Sequence, residues 1–422
     1  MCIRESVKGM VAAESEPLEG GNAAIVERTG TCVMQTYGRF PVAFVRGQGC
    51  RLWDADGKRY LDFVAGLAVC NLGHCHPRVV AAIREQAGRL LHVSNLYHIP
   101  WQTELAARIA GLSFGTRVFF CNSGAEANEA AIKLVRRYES TVRQSGRFEI
   151  LTAQNSFHGR TLATVTATGQ EKFRKGFDPL VPGFRYVPFN DITALERAVG
   201  EKTAAILLEP IQGEGGVNVP ADDYLPAVRR LCDAKQLTLI FDEIQVGMGR
   251  TGTLFAYQQW GVEPDLMTLA KGLAGGVPIG VLVAREEWAS AFVPGTHAST
   301  FGGNPLAAAA GLAALGALLD EGILENCRRM GAYLREQLEG VAHRHPTLVK
   351  EVRGRGLILG MELTRPGGPV VARCLEQGLL INCTADRVLR FIPPLVVTRE
   401  EVDEMLTTLE PALAACEEEG HR

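Results

Sequence analysis

Through the middle of the chain, short apolar runs alternate with stretches whose apolar positions recur every three or four residues. "RVFFCNS", "RFEILTAQNSFHG", "AAILLEPIQG", "LTLIFDEIQ" and "PDLMTLAKG" each hold a run of strand length. Between them, "AEANEAAIKLVRRYES" and "DYLPAVRRLCDAKQ" follow the helical period. Apolar strands of this kind, alternating with helices, predict a mostly parallel sheet covered on both faces. Upstream, "GCRLWDADGKRYLDF" reads as a hairpin about the Asp54-Ala55-Asp56-Gly57 turn. "PRVVAAIREQAGRL" and "PWQTELAARIA" read as helices that open on a proline. After Asp320 the texture changes to a long helix, a strand pair in "VKEVRGRGLILGMEL" and a terminal helix, as in a smaller α+β domain. The expected division is residues 1–73 as an N-terminal segment contributing to the small domain, 74–320 as the large domain and 321–422 as the C-terminal small domain.

In open α/β sheets, ligands bind beyond the carboxyl ends of the strands. Four chemically capable groups fall at such ends: Ser123 after "RVFFCN", Glu209 after "AAILL", Asp242 closing "LTLIFD" and Lys271 closing "DLMTLAK". That coincidence points to an active site at one edge of the sheet.

Composition narrows the class without naming the chemistry. The chain has 422 residues, is 46% hydrophobic and carries a formal charge of -3, which gives no electrostatic reason to expect nucleic acid or a membrane surface as partner. Eleven cysteines lie scattered without a C-x-x-C pair, as in a cytosolic protein with reduced thiols. The first ~20 residues are polar and lack the apolar core of a secretion signal, and chain ends of this kind are often loosely ordered. "PLAAAAGLAALGALL" is too short and too rich in alanine for a membrane span and reads as a packed helix.

Each candidate group has a plain reading beside a chemical one. "SGAE", Ser123 to Glu126, has the form of a capping box. With Gly124 and Ala125 beside free N–H groups at a helix N-terminus, it also makes a phosphate site. Asp242, buried in a strand, needs a partner: a core arginine such as Arg250, or the protonated nitrogen of a heterocycle. Lys271 either reaches out to water or sits desolvated as an amine able to condense with an aldehyde. Together, a lysine, an aspartate and a phosphate cradle are the three fixed points of a pyridoxal phosphate site. "NSFHGRT" offers Phe157 as a stacking ring and Arg160 as a carboxylate grip, or is simply a surface loop. Arg390 in the apolar "LRFIPPL" needs an anion, either a substrate carboxylate or Glu214 of "PIQGEGG". "GRGLILG" lacks dinucleotide-fingerprint spacing, and "GHCHP" has no second half at zinc-site spacing, so His74 and His76 read as turn and packing residues. Cys121 has no basic activator nearby in sequence and reads as core.

From about Tyr37 to Leu395 the chain resembles the class III, ornithine-type aminotransferases, which are fold type I enzymes of pyridoxal 5'-phosphate. The resemblance rests on "LWDADGKRYLDF", "LGHCHPRVV", "NSGAEANEAAIKL", "FHGRT", "LLEPIQGEGG", "FDEIQVGMGRTG", "LAKGL", "STFGGNP" and "RFIPPL" in that order. It implies a mostly parallel seven-stranded sheet and a cytoplasmic homodimer with shared active sites. It also implies roles for particular residues. Lys271 carries the cofactor and Asp242 faces its ring nitrogen. Gln245 contacts the ring hydroxyl, Phe157 stacks on the ring, and Ser123, Gly124 and Ala125 hold the phosphate, completed by Thr300 of the neighbouring subunit. Arg160 takes the carboxylate far from the reacting amine. Arg390 takes the α-carboxylate of glutamate once Glu214 releases it. Ser94, Asn95, Tyr37 and Ser299 complete the expected substrate contacts. Within the family, "HVSNLYHIPWQTELA" and "TYGRFPV" are most similar to the members that act on N2-acetyl-L-ornithine and 2-oxoglutarate in arginine biosynthesis. Transaminases of ornithine, succinyl-diaminopimelate or 4-aminobutyrate are the neighbouring alternatives, and an aminomutase or decarboxylase on the same fold is the alternative in another reaction class.

Overall fold

The computed structural model describes residues 20–419, so the polar N-terminal stretch and Cys2 lie outside the described residues. The expected hairpin is present. Strands β1 (Phe44–Gln48), β2 (Arg51–Asp54) and β3 (Arg59–Asp62) pair antiparallel in order, with the turn between β2 and β3 where "DADG" places it. Asp54 stabilises that turn by accepting from the N–H groups of Asp56 and Lys58.

The central sheet has seven strands. They are β4 (Arg117–Cys121), β5 (Glu149–Ala153), β6 (Phe184–Val187), β7 (Thr203–Leu208), β8 (Thr238–Asp242), β9 (Leu266–Leu269) and β10 (Gly280–Ala284), in the order β4-β10-β9-β8-β7-β5-β6. Neighbours from β9 to β6 are parallel, and only β10 runs antiparallel, between β9 and β4. Strands β7 and β8 are buried at every position, as strands covered on both faces must be. The Gly124–Arg137 helix covers one face with seven buried side chains. Tyr224–Lys235 covers the other. Two strands, β6 and β10, carry weak local signals. "FRYV" is a half-exposed edge strand, and "GVLVA" follows a glycine-proline stretch that reads as loop.

Pro305–Asp320 is a buried helix that packs on Pro77–Ala87 and Pro100–Leu112. Among the described residues no single helix is long and apolar enough to cross a membrane. Past it come the Ile323–Arg344 helix, strands β11 (Val349–Arg355) and β12 (Ile358–Leu363), β13 (Leu379–Leu380), β14 (Asn382–Thr384), β15 (Val388–Phe391) and the Arg399–Glu419 helix. The strand pair in "VKEVRGRGLILGMEL" is an antiparallel hairpin. Strand β13 pairs with β3, which joins the N-terminal hairpin to the C-terminal part of the chain.

Behind the site lies a buried carboxyl beside Asp242. Glu243 accepts from the N–H groups of Ala256 (2.6 Å) and Tyr257 (2.7 Å). Burial pushes it up from 4.5 to about 8 despite those two donors. The folded state therefore holds a proton that the unfolded chain releases above the ordinary carboxyl range. The associated stability is fully present below about pH 4.5 and is lost as pH rises towards about 8. Thermal melts from pH 5 to 8.5 should show that decline. Glu243→Gln should flatten it, while lowering stability at pH 5 because the two N–H groups bond to separate carboxyl oxygens and the amide turns one of these into an NH2 donor facing an N–H.

Candidate active site

The parallel strands bring their carboxyl ends to one edge, so residues far apart in sequence meet there. A cavity of about 430 Å³ opens at that edge. It is lined by Ser123, Gly124, Ala125, Phe157, Arg160, Glu209, Glu214, Asp242, Gln245 and Lys271, among others.

The Ser123 hydroxyl accepts from Glu126 N–H at 3.2 Å, capping the helix. The other half of the expected capping box differs. Glu126 accepts from the backbone N–H (2.5 Å) and side-chain amide (2.9 Å) of Asn122, one residue further upstream, because Asn122 offers it two donors together. The N–H groups of Gly124 and Ala125 open the helix with no acceptor among the described residues, as first-turn donors do. Gly159 lets the "NSFHGRT" loop lie directly against this turn. It has φ 136°, and an added Cβ would stand 2.8 Å from Ala125 Cβ.

Asp242 is 3% exposed, and its partner is not Arg250. Its Oδ2 lies 2.7 Å from Asn128 Nδ2 and 2.8 Å from His158 Nδ1, and its Oδ1 accepts from Ile244 N–H. Asn128 is held in turn by Thr268, whose hydroxyl donates to Asn128 Oδ1, and by the His158 carbonyl. Arg250 donates instead to the carbonyls of Leu357 and Pro393 and to Asn71, tying the C-terminal segment to the large sheet.

Lys271 follows β9 in a single turn with φ 44°, a left-handed conformation that costs a non-glycine residue about 1–2 kcal/mol. Gly272 makes that turn possible, since a Cβ there would stand 2.4 Å from Asn71 Nδ2. Burial pulls the Lys271 amine below its ordinary value; Glu214 opposes this and Arg390 adds to it.

Arg390 is fully buried behind the cavity. Its Nη1 donates to Glu214 Oε1 at 2.8 Å and to Gln245 Oε1 at 3.0 Å, while Nη2 has no partner among the described residues. Gln245 donates back to Glu214, so the three side chains close a triangle. Burial would raise the Glu214 carboxyl, but Arg390 and Lys271 outweigh it and hold it below the ordinary range. Glu209 accepts from Phe157 N–H at 3.0 Å, and burial, reinforced by Asp242, pushes its carboxyl well above the usual range.

Other expected residues lie outside the cavity of the single chain. Asn95 donates to the carbonyls of Ser299 and Gly302. Ser299 accepts from Asn122 at 3.2 Å, which links this strip to the phosphate-side loop. Ser94 and Thr300 are exposed, and Tyr37 is 71% exposed with the Arg39 guanidinium over its ring. His74 pairs with Asp62 at 2.7 Å. Its burial is outweighed by contacts with Asp62 and Cys70, which raise it to about 10. Cys121 is core, with burial pushing its thiol to about 12.

The family model described as aminotransferase class-III matches residues 33–413. An acetylornithine aminotransferase of Caldanaerobacter subterraneus subsp. tengcongensis is 55% identical over 383 residues, covering 90% of this chain and 97% of that protein. Another, from Thermosynechococcus vestitus, is 56% identical over 393 residues, covering 90% and 95%. Among solved structures, the ornithine aminotransferase of Toxoplasma gondii, described with partial occupancy of PLP at its active site, superposes with a TM-score of 0.91 at 36% identity and full coverage of both chains.

Proposed function

The chain belongs to the class-III aminotransferases, and on that premise we propose that it moves the δ-amino group of N2-acetyl-L-ornithine to 2-oxoglutarate. The products are N-acetyl-L-glutamate 5-semialdehyde and L-glutamate, a step of arginine biosynthesis, in accord with curated relatives at 49% to 56% identity. The observation that carries the substrate reading is the unequal pair of arginines. Arg160 lines the cavity with no acidic partner among the described residues, while Arg390 is masked by Glu214 at 2.8 Å. A donor with one carboxylate needs only the open arginine. An acceptor with two carboxylates engages both, displacing Glu214.

The site suits pyridoxal 5'-phosphate. Free N–H groups at Gly124 and Ala125, with Ser123 beside them, would hold a phosphate, and Asp242, fixed by Asn128 and His158, would face a ring nitrogen. Phe157 offers its ring face, Lys271 an amine and Gln245 an amide. When bound, the cofactor supplies an electron sink for the pair left behind as a substrate carbon loses its proton. Lys271, its amine pulled below the ordinary range by burial, is the base that takes this proton and returns it. Asn128 and His158, both bonded to Oδ2, hold the Asp242 carboxyl in place at the cavity lining. Arg160 and Arg390 fix which end of each substrate faces Lys271.

A homodimer is part of the proposal. Leu96 (85% exposed), Tyr97 and Phe301 form an apolar surface beside Asn95, Ser299 and Thr300, and a second copy would cover it. In that arrangement Thr300 reaches the partner's phosphate cradle, and Ser94 and Tyr37 join a substrate channel. Sedimentation at twice the chain mass would bear this out. The proposed setting is cytoplasmic, in keeping with eleven cysteines scattered without a C-x-x-C pair.

Stopped-flow half-reactions of the holoenzyme with N-acetylornithine, ornithine and 4-aminobutyrate test the substrate. N-acetylornithine should react fastest. A faster reaction with either free amino acid would overturn the assignment.

A further inference from the structure

Arg160 and Arg390 are held by different chemistry. Arg390 sits against a carboxylate and two amide oxygens. The Arg160 guanidinium instead lies over aromatic rings, with its carbon 4.1 Å from the Phe173 centroid and 5.5 Å from that of Phe157. Those two rings meet edge to face at 5.7 Å and 84°. Lys172 also reaches the Phe173 ring, at 4.8 Å.

Phe173 belongs to a four-residue helical turn, Glu171–Arg174, outside the cavity lining. The turn is tied to the "NSFHGRT" loop by the preceding Gln170, whose amide donates to the carbonyls of Asn155 and Ser156. On the far side of Arg160, the Thr161 hydroxyl donates to Glu129 at 2.5 Å. The loop is thereby held at both ends, and Phe173 supplies the platform between them.

A ring attracts a guanidinium through its face and leaves the N–H edge of the cation unspent. A carboxylate in the same place would orient Arg160 equally well, but it would occupy the N–H groups that a substrate needs.

We propose that Phe173 is a positioning residue for substrate recognition: its ring holds Arg160 towards the cavity without neutralising it, so the carboxylate far from the reacting amine meets a cation that is always open. One arginine is thus gated by an anion and the other shelved on a ring, and this difference lets one cavity serve two substrates of unequal charge. The inference rests on the reading of Arg160 as a carboxylate grip.

The test compares Phe173→Leu and Phe173→Tyr in the purified holoenzyme. Phe173→Leu should raise KM for N-acetylornithine and for 2-oxoglutarate about five- to tenfold with kcat within about twofold, the range of a partly desolvated cation–π contact. Phe173→Tyr should stay within about twofold of wild type in both constants. Calorimetric binding of glutarate, a dicarboxylate that cannot turn over, should weaken in Phe173→Leu by the same factor as KM. In an Arg160→Ala background the Phe173→Leu effect should disappear.

Unchanged KM and glutarate affinity in Phe173→Leu would overturn the proposal. So would a fall in kcat alone, or a Phe173→Tyr variant as impaired as Phe173→Leu. Should Phe173→Leu not fold, Phe173→Met carries the same comparison. A wild-type enzyme that ignores N-acetylornithine would sink the substrate reading, yet the glutarate measurement would still decide the role of Phe173.

Discussion

Lys271→Ala should abolish transamination, lowering kcat by about 10⁴-fold or more, because the proposed function makes one side chain both the anchor of the cofactor and the base. Positioned acid–base groups alone contribute about 10²- to 10⁴-fold. Burial holds the Lys271 amine below its ordinary value, which favours its proton-free form more than in a lysine open to water. Among the described residues no other lysine lines the cavity to take its place. The folded chain should tolerate the change. The turn at Lys271 depends on the missing side chain of Gly272 against Asn71, which the substitution leaves alone. Removing a partly buried cation should leave the melting temperature of the cofactor-free protein equal or higher. Steady-state turnover with N-acetylornithine and 2-oxoglutarate, measured beside a thermal melt, separates loss of chemistry from loss of fold. Residual activity above about one per cent of wild type, in a well-folded variant, would remove Lys271 from the role of base.

The strand-end groups were legible because their positions follow from local pattern. An apolar run that stops at a charged residue marks a strand end, and parallel strands bring such ends to one edge. Ser123, Asp242 and Lys271 line one cavity for that reason. What lay hidden depends on contacts that no local pattern encodes. Asn128 meets Asp242 across 114 positions and His158 meets it across 84, and neither residue looks unusual in its own segment. Arg250 was a reasonable partner for Asp242 by proximity in sequence. The chain turns at Gly249, where φ is 91°, and carries the guanidinium away to the carbonyls of Leu357 and Pro393. Strand β10 was obscured by the glycines and proline just before it, although all five of its residues are buried. Phe173 follows the same logic, since its short helix reads as nothing in particular until Arg160 is seen lying on it.

Arg390→Lys should act on one substrate far more than on the other. Lysine keeps the charge but cannot present the two parallel N–H groups that grip a carboxylate. It also leaves Glu214 and Gln245 short of donors in a buried triangle. Disturbing a buried, hydrogen-bonded charge pair costs about 2–5 kcal/mol, and about 3 kcal/mol is a fall of some hundredfold in kcat/KM. On the proposed reading that loss should appear with 2-oxoglutarate, whose second carboxylate would displace Glu214 from Arg390. With N-acetylornithine it should stay below about tenfold, because in the proposed binding mode that donor presents its only carboxylate to Arg160 and leaves the Glu214–Arg390 pair closed. Separate measurement of the two half-reactions distinguishes the cases. Equal losses in both would mean that Arg390 supports the fold of the cavity rather than selecting the acceptor. A larger loss with N-acetylornithine would mean that the two arginines trade roles, so the masked cation would read the donor and the ring-held cation the acceptor.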